Sequence, residues 1–199
     1  MDLHEYLRSR SSIRKFSERK VSKDLVDKIL DTARWAPSAH NRQPWRFVVL
    51  LEHEAKQNLA DAMAVDYRTA LENEGLESAE INRRVQRRKD RLCDAPAGIL
   101  LCMDSTVMDS YDDPQRHEGE IQMAIQSVAL AGGYILLAAH AFGLGAVWTC
   151  APLFAPERVR QALHLPGDWI PQALILVGYP DENPVKRERH PLSDITRYV

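Results

Sequence analysis

The chain has 199 residues, 45% hydrophobic and 27% charged, an ordinary globular composition whose length fits one domain spanning residues 1–199. Lys and Arg number 26 against 28 Asp and Glu, a formal charge of -2, so no basic excess speaks for nucleic acid as a partner. The three cysteines, Cys93, Cys102 and Cys150, are odd in number and lack metal-ligand spacing, which fits free thiols in a reducing compartment better than a secreted disulfide framework and predicts no metal site.

Leu3, Tyr6 and Leu7 follow the i, i+3, i+4 pattern of a short helix, and charge from the second residue onward leaves no signal-peptide core. A cytoplasmic protein is the expectation. Ser22 caps a second helix through Leu25, Val26, Ile29, Leu30 and Ala33, which must end near Pro37. Trp45 to Glu52 has the composition of a buried strand, and Glu54 to Leu92 reads as two helices divided around Val65 to Tyr67. Ala97 to Met103 is a second strand. Asp104 to Glu120 is acidic and predicts a mobile loop, a candidate lid.

Between Glu120 and Glu157 no Asp, Glu, Lys or Arg occurs, a length that could span a bilayer. Gln122, Gln126, Ser127, His140 and several glycines and prolines interrupt it, so the better reading is a buried helix from Ile121 to about Ala141. A Gly turn at Gly143 to Gly145, a strand from Ala146 to Cys150, a helix from Glu157 to Leu163 and a strand from Gln172 to Tyr179 follow. The last twenty residues, rich in Pro and charge, read as extended. Helices outnumber strands and do not alternate with them, which predicts α+β rather than a doubly wound sheet.

GxGxxG, Walker A, HExxH and GxSxG motifs are all absent. Any enzyme built on this chain therefore draws its reactivity from a bound cofactor. Three polar segments remain. Arg10-Ser11-Ser12-Ile13-Arg14-Lys15-Phe16 sets arginines around two hydroxyls, and extended alternation would aim Arg10, Ser12 and Arg14 at one phosphate. Lys186-Arg187-Glu188-Arg189-His190-Pro191 is a second cationic run, and alone either cluster reads as a solvated surface. Ala36-Pro37-Ser38-Ala39-His40-Asn41-Arg42-Gln43-Pro44-Trp45 is a polar loop stiffened by proline, with donors and acceptors suited to a heterocycle edge.

Together RSSIRKF, APSAHNRQPWRF, GLGAVW and KRERHPL resemble the FMN-dependent nitroreductase family in order and spacing from end to end. DAPAGILLCMDS and FGLGAVWTC are also similar to the nitroreductase-type domain of enzymes that make the deazaflavin cofactor. The resemblance implies an α+β nitroreductase-like fold, a central mixed β-sheet flanked by helices in an intertwined homodimer. It implies that Arg10, Ser11, Ser12 and Arg14 hold the FMN phosphate and ribityl chain, with Arg189 pairing to the phosphate and Arg187 helping. Ser38, Ala39 and His40 would border the isoalloxazine of the other subunit, with Asn41 and Gln43 in the same motif. The backbone of Thr149, Cys150 and Ala151 would meet the reactive ring nitrogen. Many members carry an acidic-Gly or Ile-Gly pair there, and Cys150-Ala151 departs from it in a way that bears on redox tuning and ring access.

The implied activity is hydride transfer from NAD(P)H to FMN and on to a nitroaromatic, quinone or other conjugated acceptor by a ping-pong scheme. No catalytic side chain is required, and His40 and Tyr111 are candidates that read equally well as structural. Alternatives are a flavin-modifying enzyme of the benzimidazole synthase branch, a deazaflavin-biosynthesis-type reductase, and a flavin-binding module without turnover. Arg83, Arg84, Arg87, Arg88, Lys89 and Arg91 form a basic helix; helical spacing groups Arg84, Arg87, Arg88 and Arg91, either as a solvated face or as a dock for an anionic partner. Trp148 and Phe154 either line the pocket or belong to the core. The uncharged helix also carries more apolar surface than one small domain hides, which by itself predicts a dimer.

Overall fold

The computed structural model describes residues 2–199. Helix α1 (Leu3–Ser9) is capped by Asp2, whose carboxylate accepts the Glu5 N–H at 2.8 Å. Helix α2 (Lys23–Ala33) starts where Ser22 Oγ accepts the Leu25 N–H at 3.3 Å, the expected N-cap. Then come β1 (Trp45–Leu50), α3 (His53–Asn73), α4 (Ser78–Cys93), β2 (Ala97–Asp104), α5 (Pro114–Ala141), β3 (Gly145–Thr149), α6 (Pro156–Ala162), β4 (Trp169–Gly178) and the single turn α7 (Leu192–Ile195). The tail around α7 is extended and exposed, as its composition predicts.

The sheet order is β1-β2-β4-β3. All three strand pairs are antiparallel, with Trp45 opposite Met103, Ala97 opposite Val177 and Gly145 opposite Gly178. The parallel component of the mixed sheet is one bridge, Ser12 to Ala146, where Ile13 N–H donates to Ala146 O at 3.0 Å. Alternate residues of the central strands feed two cores. Ile99, Leu101, Ile175 and Val177 face α2 and α5; Leu100, Cys102, Leu174 and Leu176 face α3, α4 and α6. Helices on both faces explain why β2 and β4 are apolar without alternation.

Two expected boundaries move. Helix α3 runs unbroken through Val65 to Tyr67, because Ala64, Tyr67 and Leu71 pack against Ile81 and Val85 of α4. The reversal falls at Gly75, whose φ of 75° suits glycine best, and Leu76 N–H returns to Leu71 O at 3.3 Å. Helix α5 begins seven residues before Ile121: Pro114 occupies the first turn, and Asp113 Oδ1 accepts the Arg116 N–H at 2.8 Å. The expected lid therefore shrinks to a short 3-10 turn at Ser105–Val107 and a connection over 108–113.

At 28 residues α5 is long and apolar enough to cross a membrane. Here it lies across the sheet, burying Ala124, Val128, Ala131, Ile135 and Ala139. Gly132 allows the closest approach: a Cβ there would stand 2.1 Å from Trp148 Cζ3. Its other side leaves Ile125, Leu130 and Tyr134 exposed.

Candidate functional site

The segment after α1 is pinned by residues far along the sequence. Besides the Ile13 bond to β3, Ser17 N–H donates to Tyr179 O at 2.9 Å and Asp181 N–H donates to Lys15 O at 3.0 Å. Glu182 accepts the backbone N–H groups of both Arg14 and Lys15, the latter at 3.1 Å. Those bonds, the Arg14 amide foremost, hold its carboxyl below the usual glutamate range. Arg10 and Ser11 line a cavity of about 270 Å³ with His140 and Lys186, whereas Arg14 approaches Arg91 of α4. Arg187 and Arg189 lie exposed on the tail, one to three residues beyond Lys186.

His140 docks α1 on α5. Ser9 Oγ donates to Tyr6 O at 2.7 Å, so at 2.7 Å from His140 Nε2 it accepts that N–H. Tyr6 Oη donates to Leu137 O at 3.0 Å. Burial, helped by the nearby Arg10 charge, lowers the His140 pKa below its ordinary value.

The loop from Ala36 to Trp45 is ordered by its own polar groups. Ser38 Oγ accepts the Gln43 N–H at 3.1 Å, and the Ala39 N–H donates to Ser127 Oγ of α5 at 3.2 Å. Arg42 ties it to the next connection, donating to Val107 O at 3.3 Å and to Asp109, with Glu120 at 3.9 Å. The Arg42 hydrogen bond holds the Asp109 carboxyl below its usual range, aided by the nearby charge of Arg42 itself, by Tyr111 and by His40. Tyr111 Oη lies 3.5 Å from Asp109 Oδ2. His40, Asn41 and Gln43 all adopt the left-handed region, with φ of 51°, 55° and 50°. That conformation costs roughly 1–2 kcal/mol per ordinary residue. His40, Asn41 and Gln43 project into solvent, and none of the loop's residues lines either cavity.

β3 ends in the second cavity, about 450 Å³, lined by Thr149, Cys150, Ala151 and Phe154 and walled by Met63 and Tyr67 of α3 and Arg88 and Arg91 of α4. Thr149 Oγ1 donates to Leu174 O at 3.0 Å, holding the strand end to β4. Pro152 prevents the strand from continuing and starts a 3-10 turn, Ala151–Phe154. The N–H groups of Cys150 and Ala151 find no acceptor among the described residues. Such groups are strong donors that a ligand acceptor would satisfy. Trp148 is half-buried against the core and its Nε1–H donates to Cys150 Sγ at 3.1 Å, while Phe154 is exposed at the cavity.

Sequence reasoning missed Glu182, Arg42, Asp109 and Glu120. Glu182 reaches Arg14 across 168 residues and Arg42 reaches Asp109 across 67, so no local pattern announces either contact. On the basic helix the reading of a solvated face paired with nearby acids holds for Arg83 and Arg84, which both pair with Glu80, Arg84 at 2.5 Å.

With this geometry in view, the chain matches the Nitroreductase family over residues 7–179. It is 34% identical over 190 residues to a Methanothermobacter thermautotrophicus protein named for NADH dehydrogenase/NAD(P)H nitroreductase, covering 94% of this chain and 82% of that one. It is 32% identical over 202 residues to a Thermus thermophilus NADH dehydrogenase, covering 94% and 90%. A nitroreductase of Desulfovibrio desulfuricans solved with FMN superposes with a TM-score of 0.75 at 28% identity, over 100% of this chain and 97% of that one. A BluB-like flavoprotein of Clostridium difficile shares the fold, with a TM-score of 0.84 at 22% identity over 100% and 99%.

The chain belongs to the nitroreductase family. Its class is that of FMN-dependent, NAD(P)H-using oxidoreductases. The residues present fit that cofactor: two unused N–H donors at the end of β3, and Arg10, which meets no carboxylate within 4.0 Å among the described residues, beside Ser11.

Proposed function

We propose that this protein is a homodimeric reductase that carries hydride from NAD(P)H to a nitroaromatic, quinone or other conjugated acceptor. When bound, FMN supplies the two-electron chemistry. Arg10, Ser11, Ser12 and Arg14 anchor its phosphate and ribityl chain, with Arg187 and Arg189 delivered by the tail. The N–H groups of Cys150 and Ala151 hydrogen-bond the ring edge, and as fixed dipoles they favour negative charge there. The unused N–H pair at the end of β3 carries the reading.

The dimer is the second element. The loop of Ser38, Ala39, His40, Asn41 and Gln43 is held in a strained shape, with His40, Asn41 and Gln43 turned to solvent. A partner's flavin gives that shape a purpose, and the exposed Ile125, Leu130 and Tyr134 of α5 give the partner an apolar seat. His40 of that loop and Tyr111, 3.5 Å from Asp109 Oδ2, then stand as the candidate side chains to meet the acceptor.

The visible spectrum of the purified protein, repeated anaerobically with NADH and then NADPH, tests the reading. Yellow protein that bleaches with either donor is expected, with parallel double-reciprocal plots in turnover. Colourless protein that takes up no FMN overturns it.

A further inference from the structure

Helix α4 sorts its cations into two sets. Arg83 and Arg84 share Glu80, and Lys89 meets Asp61 at 2.5 Å. Arg87, Arg88 and Arg91 have no carboxylate within 4.0 Å among the described residues. Arg88 lies over the Tyr67 ring, 3.4 Å from its centroid. Arg91 is half-buried, and burial together with the charges of Arg87, Arg14 and Arg88 lowers its pKa, only partly offset by Glu182.

Nearby carboxylates do not relieve this crowding. Glu182 is occupied by the amides of Arg14 and Lys15, and Glu74, which lines the same cavity from the end of α3, makes no ion pair. Like charges held together in a partly desolvated place call for a counter-ion, and guanidinium forks match the oxygens of phosphate and carboxylate. Arg88 and Arg91 line the cavity into which Cys150 and Ala151 open, and Met63 and Phe154 offer an apolar body nearby.

We propose that Arg88 and Arg91, with Arg87 adding its charge one turn away from Arg91, form a subsite for the phosphate or carboxylate of a substrate entering beside Cys150, so the enzyme selects anionic substrates over neutral ones of the same shape. This rests on the reading that places the flavin ring at Cys150 and Ala151. The anion is either the extra phosphate of NADPH or a carboxylate on the acceptor. The exposed positions of Arg87 and Arg88 make R87Q/R88Q safe for folding, and R91Q keeps the stem.

The test titrates para-nitrobenzoate and para-nitrobenzyl alcohol calorimetrically into wild type, R87Q/R88Q, R91Q and the control R83Q. FMN content is read from the visible spectrum of each. Wild type should bind the carboxylate about tenfold more tightly than the alcohol, the worth of one or two charge-assisted bonds, and both variants should lose most of that preference while R83Q keeps it. In turnover, the NADPH to NADH ratio of kcat/KM falls in the variants if the phosphate is the donor's, and the ratio between the two nitro compounds falls, through KM, if the carboxylate is the acceptor's. Equal binding of carboxylate and alcohol by wild type, or a preference that survives in both variants, overturns the subsite. So does loss of FMN from the variants without a change in preference, which would give these arginines to the cofactor. A wild type that prefers the carboxylate yet holds no FMN sinks the flavin reading and leaves the subsite standing.

Discussion

Arg42 and Arg91 are both half-buried arginines, and the fold treats them in opposite ways. Arg42 has Asp109 and Glu120 within ion-pair reach, and the Asp109 hydrogen bond raises its pKa, burial working against it. Arg91 has burial and three arginine neighbours, and its pKa is lowered. A cation satisfied inside the chain serves the structure; one left unsatisfied at a cavity is available to something that arrives. The same residue type therefore separates scaffold from site by its partners alone.

The comparison breaks most sharply at Arg42. R42M leaves Glu120 buried without its cation, and the Glu120 Oε2 atom already lacks a hydrogen bond. A loss of about 2–3 kcal/mol is expected, a fall in Tm of roughly 5–10 °C, partly restored by E120Q in the same chain. A Tm within a degree of wild type would show that Arg42 is not a scaffold residue. G132A comes next, because its Cβ meets the rigid Trp148 ring at 2.1 Å and Leu101 Cδ2 at 2.9 Å. About 1–3 kcal/mol of overpacking is expected in urea unfolding, with weaker FMN retention as Trp148 shifts against Cys150; unchanged unfolding would mean that the ring moves freely.

R91M should change stability by under about 1 kcal/mol, and upward, since it removes a poorly solvated charge and keeps the stem. A fall as large as that of R42M erases the distinction. His140 gives the smallest effect. Its pKa lies below the unfolded value near 6.5, so the unfolded chain takes the proton first as pH drops. Its contribution is full above about pH 6.5 and is lost as pH falls from there through the folded value. Melting curves from pH 7.5 down to 5 should show the wild type losing more stability than H140Q; parallel curves would remove His140 from the account.

Much of this was legible in the residues. Ser22 and the apolar period after it placed α2, and the unbroken apolar runs placed β1, β2 and β4. The α3–α4 junction was misplaced because Gly75, beyond a polar stretch, carries the turn while Val65 to Tyr67 stays helical. The start of α5 was hidden because its first two turns are polar, although Asp113 followed by Pro114 is a legible cap. The motifs brought the segments proposed to meet the flavin into view, but the residues that hold them could not be read. Arg42 and Glu182 act on partners dozens of positions away, and only the folded topology brings them together. The two sets on α4 were half legible, since Glu80 and Arg84 sit at helical pairing distance.

The lacing of the residues 12–17 strip to β3 and to residues 179–182 has a consequence for biosynthesis. Its ladder partners, Ala146, Tyr179, Pro180 and Glu182, leave the ribosome long after it does. Until residue 182 has been made, the strip from Arg10 to Arg14 therefore lacks these partners. Closing so long a loop is entropically slow, and during that interval the strip is not held in its folded geometry. An elongation pause before residue 182 would lengthen the period in which the strip waits for those partners.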